Sequence, residues 1–61
     1  MNRKVLIADD TGSVVTIDEI GLKTVNYEPA DQEWFDIAWR NAVEDGLVDE
    51  EDRAKHKLSF V

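Results

Sequence analysis

Sixty-one residues, a net charge of −7, no cysteine and one histidine narrow the field before any pattern is read. A chain this short is one domain that buries about 60% of its unfolded surface, and no disulfide can reinforce it. The same composition argues against a zinc site, and the acid excess against the basic face that marks nucleic-acid binders.

The first element is a strand over Lys4–Asp9, because Val5-Leu6-Ile7-Ala8 is short, apolar and closed by turn-forming Asp9 and Asp10. This is also the longest apolar run. It falls far short of the roughly 20 residues that span a bilayer, and Asp9-Asp10 ends it before it could serve a signal peptide. A cytoplasmic protein with no membrane partner is the resulting expectation, and the 43% hydrophobic content with two tryptophans argues for a folded chain. Asp9-Asp10-Thr11-Gly12 supplies turn chemistry, with Gly12 able to take positive φ. Ser13–Ile17 is a second β-branched run, and the pair predicts a β-hairpin.

Asp18-Glu19-Ile20-Gly21 reads as another turn, and 22–27 as a third strand near an edge, since neither of its faces is cleanly apolar. Pro29 ends that strand and opens a helix. Asp31 is placed to cap it, and Glu33 lies in the first turn, where the helix dipole favours a negative charge. Phe35, Ala38, Trp39 and Ala42 fall on one face at helical spacing, flanked by Trp34 and Val43. Glu33, Asp36, Arg40 and Glu44 hold the opposite face, where Asp36–Arg40 and Arg40–Glu44 have the i,i+4 spacing of ion pairs. Ile37 points into this acidic side.

Gly46 is the stop signal. Leu47 and Val48 then return to the core, and Asp49 caps a short second helix to about Lys55. Lys57–Val61 is a last strand, with Leu58 and Phe60 on either side of Ser59. The order β-β-(β)-α-α-β predicts an α+β fold in a single domain over 1–61. Its small antiparallel sheet (N-terminal hairpin, third strand, C-terminal strand) packs on one main helix plus a short second helix.

Three local patterns suggest chemistry. Arg3-Lys4-Val5-Leu6-Ile7-Ala8-Asp9-Asp10 resembles the first strand of response-regulator receiver domains, where an acidic pair at the strand end holds magnesium. Receivers continue into a helix, whereas Gly12 and a second β-branched run follow here, and no length remains for the phospho-accepting aspartate and lysine of later strands. Asp10-Thr11-Gly12 resembles the core triplet of aspartic proteases, whose chemistry needs two facing triplets so that one carboxyl stays protonated. A homodimer would supply the second triplet, but Asp9 stands where those enzymes are apolar, and the chain is short for a cleft and flap. Asn41–Asp52 can be laid on a calcium loop with Gly46 sixth. Val43 then takes a ligand position, Asp52 replaces the bidentate glutamate, and 41–45 belong to the helix.

Turn and cap chemistry explains all three patterns. His56 lies in a basic stretch and reads as solvated, Ser13 and Ser59 sit in strand-like runs, and no glycine-rich phosphate cradle exists. The expectation is a protein that binds rather than catalyses, with no cofactor and no metal ligand.

Charge placement says more about function. Residues 1–27 carry four acids against Arg3, Lys4 and Lys23, residues 28–52 carry ten against Arg40 alone, and 53–61 carry Arg53, Lys55 and Lys57 with no acid. Such a segment can serve solubility alone. It can also imitate a phosphate backbone and dock on a cationic surface, where complementarity speeds association and sets orientation. On that reading the chain is a small acidic protein-binding module, an inhibitor or adaptor, with an inhibitor of phage or mobile-element type as one option. Its partner is another protein with a basic groove, a nucleic-acid-binding groove among the options, and the chain does not itself bind nucleic acid. The partner-binding residues are Glu33, Asp36, Ile37, Glu44, Asp49, Glu50, Glu51 and Asp52, with Ile37 an apolar contact inside the negative field. The alternative is a small regulatory or structural subunit that binds through the helix bearing Trp34 and Trp39, or by homodimerisation through a free sheet edge.

Overall fold

The computed structural model describes residues 2–23 and 29–61. Strand β1, Asn2–Ala8, runs antiparallel to both β2, Val14–Gly21, and β3, Lys57–Phe60, so the sheet order is β2-β1-β3. Helix α1, Asp31–Glu44, and a 3₁₀ helix, Glu50–Lys55, lie between β2 and β3 in the chain. The result is the α+β architecture expected from the element order.

The hairpin turn is organised by one carboxylate. Asp9 Oδ1 accepts from the Thr11 and Ser13 backbone N–H groups at 2.9 and 3.0 Å and from the Thr11 hydroxyl. Gly12, at φ 87°, donates its N–H to the Asp9 carbonyl at 3.1 Å, the left-handed geometry that only glycine adopts without strain. Beyond the turn, Ala8 pairs with Val14 but Ile7 pairs with Thr16, which leaves Val15 as the extra residue of a β-bulge packed against the core.

Residues 18–21, expected as a turn, are strand. Two contacts outweigh their polar look. Ile20 is buried opposite Arg3, and Asp18 on the helix-facing side accepts from the Asn41 amide of α1 at 3.0 Å. Of the expected third strand, Leu22 and Lys23 lie beyond the end of β2, and 24–27 fall outside the described residues.

Helix α1 begins one residue earlier than a cap at Asp31 implies. Ala30 holds the N-cap position without a side-chain bond, and the Asp31 carboxylate instead approaches the Arg3 guanidinium at 3.6 Å. At the other end Gly46 takes φ 74° and donates to the Val43 carbonyl at 3.0 Å, while Leu47 donates to Ala42 at 2.9 Å. This is a Schellman stop. It leaves Leu47 49% exposed rather than returned to the core; Val48 alone packs inward. Asp49 stands at the N-cap of the following helix but makes no side-chain cap bond, and that helix is 3₁₀.

The core joins Val5, Ile7 and Ile20 of the sheet to Trp34, Ala38, Trp39 and Ala42 of α1. Relative to the expected face the helix is rotated, so that Trp34 is fully buried and Phe35 moves to the flank, stacked on Phe60 at 4.7 Å between centroids. Ala38 and Ala42 give the helix close access to the sheet, and the large indoles fill the space on either side. Arg3 completes this end of the core, its guanidinium carbon 3.3 Å from the Phe60 ring centroid.

Cross-strand partners share a face. Val5 and Ile7, with Phe60, Leu58 and Ile20, look towards α1. Lys4, Leu6 and Ala8, with Glu19, Ile17 and Val14, look the other way; on that side Ala8 is buried and Leu6 half-buried, while Lys4, Glu19, Ile17 and Val14 are exposed.

Candidate protein-binding surface

The acidic segment does not form one uniform field. Asp36, on the half-exposed flank of α1, receives the Arg53 guanidinium at 2.7 Å and the Gln32 amide at 2.8 Å. The Arg53 bond, then that of Gln32, holds the Asp36 carboxyl below the ordinary aspartate value of 3.8. Arg53 comes from the 3₁₀ helix, so this pair straps the two helices together. It replaces the expected i,i+4 pairs: among the described residues, neither Asp36 nor Glu44 forms an ion pair with Arg40. Asp52 is likewise drawn towards Lys55, at 3.7 Å.

Glu33, Glu44, Asp49, Glu50 and Glu51 are different. All five are exposed, and none is in an ion pair among the described residues. Glu44 and Glu50 come together on the rim of a shallow groove of about 410 Å³ between α1 and the 3₁₀ helix, floored by Trp39 and Val43 and shared with Asp36, Arg40 and Arg53. Glu33 stands apart, roughly 16 Å along the helix axis from Glu44 at 1.5 Å per residue. The remaining carboxylates are thus concentrated at the C-terminal end of α1, around the Gly46 stop.

Ile37 does not enter this field as an exposed apolar contact. It is half-buried and packs against the core cluster, because the rotation that centres Trp34 carries Ile37 towards the sheet. Trp34 and Trp39 are 0% and 5% exposed, so a helix contact through the indoles would require the core to open. Trp39 also carries the ring edge of His56, at 5.1 Å between centroids. His56, expected as solvated, is half-buried, with Nδ1 2.8 Å from the Asp52 carbonyl, to which it donates in the Nδ1–H tautomer.

Arg53, Arg40 and Val43 were absent from the expected site. The only hint of Arg53 in the sequence is that three cations follow ten acids; its choice of Asp36 needs the helix packing. Calcium-loop geometry is not formed over 41–52, since the Asn41 amide is committed to Asp18 and Asn41–Glu44 are helical. Among the described residues no group of three acidic, histidine or cysteine side chains is arranged to hold a metal ion, and no helix is long and apolar enough to cross a membrane. No protein-family model matches the chain, and no curated protein or solved structure matches it either.

Proposed function

We propose that this chain is a small acidic binding module, an inhibitor or adaptor that docks the C-terminal end of α1 and the start of the 3₁₀ helix on a basic groove of another protein. The observation that carries the reading is the set Glu44, Asp49, Glu50 and Glu51, all exposed and without an ion pair among the described residues. Carboxylates gathered at short range repel one another, and a cationic partner relieves that repulsion as it docks. The nearby cations Arg53 and Lys55 are engaged with Asp36 and Asp52, which leaves Arg40 as the base that shares the groove with Glu44 and Glu50. Glu33 extends the surface along α1 as an outlying contact. Burial of both indoles removes the main support for the rival reading of a tryptophan-bearing contact helix.

The test replaces Asp49, Glu50 and Glu51 with lysine together and compares capture from the lysate of the producing cell at low and high salt. The expected captured protein is basic, is released by salt, and is lost with the triple variant, whose circular dichroism stays unchanged because all three sites are exposed. Unchanged capture by a folded triple variant would show that the carboxylates serve solubility only.

A further inference from the structure

Among the described residues, helices cover the sheet on one side only, which leaves its other side to be accounted for. On that side Ile17 and Val14 are 51% and 56% exposed, beside half-buried Leu6 and next to Ala8. None of these four belongs to the core cluster or packs against it. β-branched side chains on a pleated surface favour a second layer about 10 Å away, and a chain without disulfides has a thin core of its own.

Charge identifies the occupant. The chain as a whole is at −7, so two copies repel wherever their acidic surfaces meet. The uncovered face is the exception: among the described strand residues it carries Lys4 and Lys57 against Glu19. Its register is also self-complementary. Lys4 lies directly opposite Glu19, Leu6 opposite Ile17, and Ala8 opposite Val14. A two-fold axis parallel to the strands and midway between β1 and β2 places β1 of each copy over β2 of the other. Lys4 of one copy then stands over Glu19 of the second, Leu6 over Ile17, and Ala8 over Val14, so that the Lys4–Glu19 pair forms twice across the interface.

We propose that this face is the contact surface of an isologous homodimer, a four-layer particle with a sheet-on-sheet centre and its acidic helices on the two outer sides. The arrangement is independent of the docking function above, and salt separates the two. Screening weakens docking on a basic groove, but strengthens self-association of copies that each carry −7.

Sedimentation equilibrium of the whole chain, up to about 1 mM and with sodium chloride raised to about 0.5 M, should show a dimer whose population grows with salt. Ile17→Lys places a charge at the dry centre and should weaken dimerisation roughly a hundredfold, with circular dichroism unchanged. Lys4→Glu and Glu19→Lys should each weaken the dimer alone. Mixed in equal amounts they should form a heterodimer, because both interchain pairs become attractive again. Lys4 and Glu19 are exposed, so this exchange remains decisive even if Ile17→Lys fails to fold. A monomer under all these conditions would overturn the proposal. So would a dimer untouched by folded Ile17→Lys, or a mixture that associates no better than either charge variant alone.

Discussion

The hairpin over residues 2–21 and the helical segment over 31–55 are held by different kinds of interaction. In the hairpin an antiparallel ladder, interrupted only by the bulge at Val15, runs from Asn2↔Gly21 to Ala8↔Val14, closed by a turn whose bonds are local to Asp9–Ser13. In the helical segment, α1 has 14 residues and the 3₁₀ helix six, lengths at which helices in water are marginal by themselves. Their placement rests on side chains: two buried indoles, the Phe35–Phe60 stack and the Asp36–Arg53 bond. Backbone geometry fixes the first region and side-chain packing the second, so substitutions should act differently in the two.

Trp34→Ala should have the largest effect. It empties the centre of the core and should cost about 3–5 kcal/mol, a large part of what a chain this size possesses. Urea unfolding followed by circular dichroism is expected to show loss of the helix under conditions where the parent is folded. A stable variant with intact helix signal would mean that α1 is held by something other than its indole.

Gly12→Ala and Gly46→Ala come next, at about 1–2 kcal/mol each, from forcing alanine into positive φ. An added Cβ meets nothing within 4 Å at either site, so the cost is conformational rather than steric. Amide exchange should tell the regions apart, with faster exchange in the β1–β2 ladder for Gly12→Ala and at the end of α1 for Gly46→Ala.

The Asp36–Arg53 strap should be weaker. Its side chains are 47% and 36% exposed, and a double-mutant cycle with alanine is expected to give about 0.5 kcal/mol, falling with salt. A coupling near zero would mean that packing, such as that of His56 against Trp39, rather than this ion pair holds the 3₁₀ helix on α1.

The smallest effect concerns pH. Bonding to Arg53 depresses the Asp36 carboxyl, and bonding to the Thr11 hydroxyl and Ser13 backbone depresses that of Asp9, both from 3.8. A depressed folded-state value stabilises the protein above the unfolded value, and that contribution is lost as pH falls through the folded one. Stability should therefore hold down to pH 3.8 and decline below it, with Asp36→Asn and Asp9→Asn each flattening the decline in urea titrations.

Much of the fold was legible because it is written in local patterns. β-branched runs around a glycine turn announce the hairpin, and helical spacing ending at Gly46 announces α1. Errors arose where a residue's meaning depends on distant chain. Asp18 and Glu19 look like a turn until Asn41 answers Asp18 and Lys4 stands across from Glu19. Ile37 looks misplaced on an acidic face until the helix rotation set by Trp34 is known. The acidic surface was visible as composition, but its division into engaged Asp36 and Asp52 and exposed Glu44, Asp49, Glu50 and Glu51 depends on where Arg53 and Lys55 land.

The central position of β1 has a kinetic consequence. Its two neighbours come from opposite parts of the sequence: β2 follows after a tight turn, whereas β3 arrives only after the whole helical segment. The hairpin can form early by local closure, on the microsecond scale typical of such elements. Closing β3 onto β1 brings Val5 to Phe60 across almost the entire chain and must await the helices that bridge them. Until then one edge of β1, bearing Val5, Leu6 and Ile7, stays unpaired. Folding intermediates of this protein should therefore be most prone to aggregate through their first strand, and substitutions at Leu58 should accelerate unfolding more than they slow folding.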